Sequence, residues 1–299
     1  MKLWNSRRAG QVGQFAKYMM IGSAAAAFLG LSMNAQAQPT CTIANWTDTL
    51  TEGLSDTDAG YQGNDNRRYA GQCGLRVPFD GPERFVAYES AGETNYIARF
   101  YVFLDQLSGD AAIFKAEDSG GDVLVVSYEG GDIVLTAVDT GGSTVSPLAI
   151  SGVGNGWHSV EITWIQEDDA ANTEVSLLVN SEDPNEGVST SLDATGMAID
   201  VIKLGNVDGV SAGGYADFDD FDSRRSTRPG RLCRGLTDQT RDQLNLGDVF
   251  AIYDEFASGG GVLADGQPDY NEDGAINLGD VFGVYDAFAS GQNSCELNS

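Results

Sequence analysis

The densest run of chemistry-bearing residues lies near the C-terminus, at Asp269-Tyr270-Asn271-Glu272-Asp273-Gly274-Ala275-Ile276-Asn277-Leu278-Gly279-Asp280. Side-chain oxygens recur at alternate positions, Asp269, Asn271 and Asp273, as a chain curling round a cation must present them. Gly274 follows where the curl needs a sharp, left-handed turn. Ala275 then offers a backbone carbonyl, Asn277 an amide oxygen and Asp280 a carboxylate. An all-oxygen set of this kind suits Ca2+ better than Zn2+. The expected metal ligands are therefore Asp269, Asn271, Asp273, Ala275, Asn277 and Asp280. Asp280 departs from the Glu that such loops usually carry at their last position.

The loop leads into the second copy of an internal repeat. Leu244–Gly259 recurs as Ile276–Gly291, with twelve of sixteen positions identical. Leu246, Val249, Phe250, Tyr253 and Phe256 fall at helical spacing, as do Leu278, Val281, Phe282, Tyr285 and Phe288. Two short amphipathic helices that bury these stripes against each other are expected. In the first copy the aligned loop positions hold Thr237, Gln239 and Arg241, with Asp242 in place of glycine. That half is expected to bind no calcium, the Arg241 guanidinium partly standing in for the ion.

Two loop–helix repeats with the form Asp-x-Asn-x-Asp-Gly-x-Ile-Asn-x-x-Asp resemble a dockerin, a module built on EF-hand-type calcium loops. The resemblance implies docking onto a cohesin-like or cell-surface scaffold protein. Leu246-Gly247 and Leu278-Gly279 stand where cellulosomal dockerins carry Ser or Thr, and Tyr285-Asp286 follow where those carry basic residues. A cellulosomal cohesin is therefore not the expected partner. The module is more similar to the Cys-flanked dockerin-like anchors of non-cellulosomal bacteria, with Cys233 and Cys295 as the flanking pair.

Catalytic patterns are missing from the sequence. The chain has one histidine, His158, at the start of an expected strand beside Trp157, where a structural role is expected. The Glu-x-Asp-x-x-Glu signature of laminarinase-type hydrolases is approached only at Glu167-Asp168-Asp169, and Asn172 stands at its final carboxylate. No nucleophile elbow, phosphate loop or zinc-protease motif occurs. No catalytic residue is assigned.

The elements that must position these residues divide as follows. Residues 1–37 have the layout of a secretory signal peptide: Lys2, Arg7, Arg8 and Lys17, an apolar run from Tyr18 to Met33, then Ala35-Gln36-Ala37. The product is expected outside the inner membrane, secreted, at the cell surface or in the periplasm, with no membrane span after signal removal. Four cysteines fit an oxidising compartment and allow three pairings. The local choice is Cys41–Cys73 and Cys233–Cys295; a zinc site lacks the usual Cys-x-x-Cys spacing. Residues 223–232, Ser-Arg-Arg-Ser-Thr-Arg-Pro-Gly-Arg-Leu, read as an interdomain linker, either a solvated loop or a site for a trypsin-like protease.

Residues 38–222 alternate with period two in short segments separated by Gly, Asp and Ser, which predicts an antiparallel sandwich. Expected strands include Tyr96–Leu104, apolar on both faces and so central, and the hairpin Val123–Tyr128 with Ile133–Ala137 across Glu129-Gly-Gly-Asp132. Gly156-Trp-His-Ser-Val-Glu-Ile-Thr-Trp164 and the closing Tyr215-Ala-Asp-Phe-Asp-Asp-Phe221 resemble the concanavalin A-like, laminin G-like jelly roll. The expected fold class is thus mainly β, a jelly-roll sandwich (38–222) followed by a small all-α calcium module (233–299). That family contains carbohydrate-binding modules, protein-binding modules and glycoside hydrolases.

Trp46, Trp157, Trp164, Tyr61, Tyr88 and Tyr96 are the candidate sugar-stacking rings, with core packing as the alternative for each. Asp217, Asp219, Asp220 and Asp222 alternate on one strand and are read as a solvated edge paired with Arg224 and Arg225, with calcium at the sandwich edge as the alternative and no ligand site assigned. With 44 acidic against 17 basic residues, the net charge of -27 repels phosphate backbones and excludes nucleic acid as a direct partner. The functional expectation is a secreted, non-catalytic protein. Its sandwich binds a polysaccharide or a surface protein, and its calcium-binding tail docks it to a scaffold. The alternatives are a sandwich-fold glycoside hydrolase or polysaccharide lyase, and a calcium-stabilised matrix protein.

Overall fold

The structure is a computed structural model. It describes residues 41–60, 67–166, 169–239, 243–259, 263 and 266–291. All of them fall in the second of the two units into which the chain divides, Pro39–Ser299. The export segment 1–37, Tyr61, Glu167, Asp168, Arg241, Asp242 and Cys295 lie outside the described residues.

Thirteen strands among the described residues pair into two antiparallel sheets. One runs β1 (Ala59–Gly60), β2 (Gly74–Pro78), β13 (Tyr215–Arg224), β4 (Asn95–Phe103), β9 (Trp157–Ile165), β10 (Thr173–Val179), β11 (Val188–Leu192). The other runs β3 (Arg84–Glu93), β12 (Ile199–Asn206), β5 (Ala111–Asp118), β6 (Gly121–Glu129), β7 (Asp132–Ala137), β8 (Leu148–Ile150). The alternation places Tyr96, Phe100, Val160, Ile162 and Trp164 of the first sheet in one core with Phe114, Leu124, Val126 and Ile202 of the second. Phe100 and Phe114 stack across the gap, 5.6 Å between centroids. Gly130 and Gly131, both at positive φ, make the tight β6–β7 turn and leave Glu129 opposite Asp132.

β4 and β9 are buried along nearly their whole length, on both faces. The outer face carries Arg99, Tyr101, Phe103, Trp157, Ser159 and Glu161, and two features cover it. The first is the basic segment read as a linker. It does not run free: β13 extends to Arg224, and the residues after it form a strap across the sheet. Arg225 pairs with Glu93 at 2.9 Å, Arg228 with Glu161, and the Gly230 N–H donates to Glu161 Oε2 at 3.0 Å. Arg99 donates to Gly230 O at 2.8 Å and Leu232 N–H to the Tyr101 hydroxyl at 2.8 Å. The carboxylates on β9 and near β4 give the arginines a reason to lie flat that composition alone does not show.

The second cover is the loop 266–274 of the C-terminal region, whose Glu272 carbonyl accepts from Trp157 N–H at 3.0 Å and whose Gly274 lies against Phe103. The same region carries two helices, α1 (Leu246–Ser258) and α2 (Leu278–Ser290). Each helix begins with a capping box, Asn245/Asp248 and Asn277/Asp280, and ends at a left-handed glycine, Gly259 or Gly291. Their shared core is Leu236, Leu244, Val249, Ile252, Leu263, Val281, Val284 and Ala287. This corrects the expected stripes. Val249 and Val281 are buried, but Leu246, Phe250, Tyr253 and Phe256, with Leu278, Phe282, Tyr285 and Phe288, are 36–61% exposed. Each helix is apolar on two faces. The inward face also takes Ile252 or Val284, and the larger aromatic face is left in solvent.

Candidate functional site

A cavity of about 410 Å³ opens at the edge of the sandwich, between β3 and β12 on one side and β2 and β13 on the other. Its lip is the segment Thr42–Trp46, and three contacts hold that lip in place. Cys41 is disulfide-bonded to Cys73, which immediately precedes β2. Asp56 accepts from Thr42 Oγ1 at 2.7 Å and from Ile43 N–H at 2.8 Å. Trp46 packs on Phe221, 5.3 Å between centroids at 57°. Across the opening stands Tyr88, 43% exposed, and Asn45, Asp222 and Ser223 supply polar groups. Aromatic faces beside an amide, a hydroxyl and a carboxylate suit a neutral polyhydroxyl ligand.

The structure sorts the six aromatic candidates. Trp46 and Tyr88 line one cavity. Trp157, Trp164 and Tyr96 are core, exposed by 3%, 0% and 0%. Tyr61 lies outside the described residues. Phe221, which seats Trp46, was legible only as part of a strand.

The four aspartates of β13 are not a solvated edge. Asp217 is fully buried and pairs with Arg76 at 2.7 Å and Arg67 at 3.4 Å, not with Arg224 or Arg225. Asp219 Oδ2 accepts from the N–H groups of Tyr69 and Ala70, at 2.6 and 2.9 Å. Burial, then the neighbouring Asp220 charge, push its carboxyl up to about 7 against those donors. Asp220, at a left-handed φ of 45° in a bulge, pairs with Arg99 at 2.5 Å. Only Asp222 meets Arg224, at 2.8 Å. The bulge turns successive side chains out of simple alternation, so period two misplaces them.

His158 is buried and bonded on both ring nitrogens. Its Nε2 bonds Gly154 O and its Nδ1 accepts from Asn180 Nδ2, both at 2.9 Å. Burial lowers its pKa. Asp169 caps the short turn Ala170–Asn172 through Ala171 N–H, and Glu167 and Asp168, which begin the hydrolase-like spacing, lie outside the described residues.

The 269–280 loop is closed by hydrogen bonds to its own backbone. Asp269 is almost fully buried; its Oδ1 accepts from Asp273 N–H at 3.1 Å and its Oδ2 from Gly274 N–H at 2.7 Å. Gly274 takes the left-handed turn at φ 84°. Asn271 Oδ1 accepts from Asp273 N–H at 3.0 Å, and Asp280 Oδ1 from Asn271 N–H at 3.2 Å. Burial and the nearby Asp280 charge push the Asp269 carboxyl up to about 8. Among the described residues no three acidic, histidine or cysteine side chains gather as a metal-binding cluster. A cation here therefore depends equally on the Asn271 and Asn277 amides and the Ala275 carbonyl. Asn277 and Asp280 also form the helix cap, and their counterparts Asn245 and Asp248 do the same in the first copy. Capping alone thus accounts for that pair, and of the expected side-chain ligands it leaves Asp269, Asn271 and Asp273 without a capping role.

In the first copy the Thr237 hydroxyl donates directly to Asp248 Oδ1 at 2.7 Å, the place where Asp269 faces Asp280 in the second. Gln239 turns back onto the Cys233 and Leu236 carbonyls, each at 3.0 Å. Arg241 lies outside the described residues. Cys233 is disulfide-bonded, and Cys295, its expected partner, lies outside the described residues.

No family model matches the chain, and no curated protein does. Among solved structures, the botulinum neurotoxin type G receptor-binding domain is 15% identical, covering 52% of this chain and 40% of that one, with a TM-score of 0.38. The serotype D ligand-binding domain in complex with N-acetylneuraminic acid is 15% identical, covering 50% and 38%, with a TM-score of 0.38. The chain spans about two fifths of the length of these structures. Similarity this shallow assigns neither ligand nor partner. The class rests on the chain's own geometry: a two-sheet antiparallel β-sandwich followed by a capped helical pair.

Proposed function

We propose that this chain is a secreted, non-catalytic binding protein, a concanavalin A-like or laminin G-like sandwich carrying a dockerin-like tail. The sandwich takes a carbohydrate at the Trp46–Tyr88 cavity. The tail binds Ca2+ through Asp269, Asn271, Asp273, Ala275, Asn277 and Asp280 and docks onto a scaffold or cell-surface protein.

One observation carries the docking half. The repeats differ at four positions, Leu244/Ile276, Ala251/Gly283, Ile252/Val284 and Glu255/Ala287, and none of these lies on the exposed aromatic face. Leu, Phe, Tyr and Phe stand exposed in both copies. An apolar face repeated unchanged in solvent suits a partner, since stability gains nothing from it. The occupant is a protein with a basic rim. Asp254 and Asp286 fringe the two faces, neither helix carries a basic residue, and a second copy with net charge -27 would be repelled.

Asp219 gives an enzymatic reading its one foothold, because its carboxyl is raised to about 7 and lines the cavity. Its Oδ2 is already committed to two backbone N–H groups, which favours a positioning role for it. The test is depletion of the protein onto a panel of polysaccharides, with released sugar measured. Depletion without product supports the reading; product overturns it. Calorimetry is expected to count one calcium per chain; two would refute the silence of the first copy.

A further inference from the structure

We propose that the 269–280 loop is a calcium-operated clamp that fastens the helical pair to the sandwich, with Glu272 as its contact. The calcium part rests on the reading above; the fastening rests on bonds in the structure.

The loop has two sides. Asp269, Asn271 and Asp273 carry the cation-directed oxygens. The residues between and after them face protein instead. Tyr270 lies against its own helix: a Cβ on Gly283 would come within 2.5 Å of its ring, so copy two needs glycine where copy one has Ala251. Glu272 and Gly274 face the sandwich. The Glu272 carboxylate accepts from the Tyr69 hydroxyl at 2.6 Å, and its two oxygens pair with Arg231 and Arg234 of the strap at 2.7 and 2.6 Å. Its carbonyl accepts from Trp157 N–H at 3.0 Å, beside the β9 entry. Backbone meets backbone so closely that a Cβ on Gly156 would lie 2.5 Å from that carbonyl. A Cβ on Gly274 would lie 2.6 Å from the Phe103 ring.

Glu272 reaches this seat only because the loop holds it in a left-handed conformation, φ 60°, unusual for a residue with a side chain. Its N–H is tied to Asp269 O at 3.2 Å, and the next N–H to the Asp269 carboxylate. The curl that gathers the oxygens is therefore the curl that aims Glu272. Bound calcium would draw the oxygens of Asp269, Asn271 and Asp273 onto one centre and fix the curl. Without it the curl rests on hydrogen bonds from its own N–H groups alone, and Glu272 leaves Tyr69, Trp157, Arg231 and Arg234 more readily. The strap arginines are then exposed. The two binding faces of the protein are thereby held in one fixed relation in calcium and released from it in chelator.

The test uses the full chain, trypsin and calcium or chelator, with fragments identified by mass and ion binding counted by calorimetry. Cleavage after Arg231 and Arg234 is expected to be at least about tenfold slower in calcium, as protection follows the population of the open form. Glu272→Gln, which keeps the shape and removes no expected ligand, is expected to bind the ion yet lose most of that protection. Equal cleavage of the wild type with and without bound ion overturns the clamp and leaves the calcium reading standing. Full protection in Glu272→Gln overturns the role of Glu272. No ion bound in calorimetry overturns the calcium reading and the switch together.

Discussion

Asp219, half-buried beside the cavity, and His158, buried, have titrations that pull stability in opposite directions with pH. Asp219 holds its proton up to about 7 in the fold and to near 3.8 when free, so its contribution is full below pH 4 and lost as pH rises through about 7. Asp217 and Asp220 shift the same way, mainly through burial. His158 is lowered from 6.5, so its contribution is full above that value and lost as pH falls below it. Asp219→Asn keeps an oxygen for the Tyr69 and Ala70 N–H groups and removes the charge. Its melting temperature is expected to fall less between pH 5 and 8 than that of the wild type, read by thermal denaturation across that range. At the cavity, Trp46→Ala is expected to abolish depletion onto a bound polysaccharide while leaving the melting temperature close to wild type, because Trp46 is only partly buried. These placements were half legible. Residue type nominated Trp46 and Tyr88, but only burial separated them from Trp157, Trp164 and Tyr96.

Each helix presents two apolar faces, and truncation separates them. Ile252→Ala removes a fully buried side chain and is expected to cost about 2–4 kcal/mol in denaturant unfolding. Phe250→Ala or Phe282→Ala removes a larger side chain that is 56% or 61% exposed and is expected to change stability by about 0.5 kcal/mol or less. A large loss from the Phe variants would mean that the aromatic face is covered in the isolated chain. The capping boxes and glycine stops made the helix bounds readable from sequence, since each is a local rule. Which face turns inward was not local. Glu255, fully buried in α1, points to Arg68 and to Leu263 N–H, and no helical periodicity reveals a salt bridge to a residue 187 positions away.

The sandwich and the helical pair are joined by charge as much as by apolar contact. Arg68 and Glu255, both with fully buried side chains, pair between the loop before β2 and α1. Burial lowers Arg68 to about 10. Glu255→Ala would match the second copy at that one position but strand the Arg68 charge, and is expected to cost about 3–5 kcal/mol in the same unfolding assay. Around that pair, Tyr69 stacks on Tyr101 with centroids 3.5 Å apart, and Trp157 meets Phe103 edge-on at 5.6 Å. Reduction of Cys41–Cys73, which closes a 32-residue separation, is expected to cost about 3–4 kcal/mol in the chain-entropy model and to loosen the lip that carries Trp46.

The sequence alone determined what is periodic or local: two-residue alternation and glycine turns for the strands, Asn/Asp caps and the repeat for the helices, oxygen spacing for the loop, and one histidine against a triad. It did not reveal the partners of the basic segment read as an interdomain linker or of the β13 aspartates read as a solvated edge, because both depend on residues far along the chain. Arg228 needs Glu161, Asp217 needs Arg76, and Glu272 needs Tyr69 and Trp157. Charge balance in a buried interface is a pairwise property of residues that meet only after folding. The tertiary structure therefore decided which aromatic rings face solvent, which acids are neutralised, and that the loop spaced for a cation also grips the sandwich.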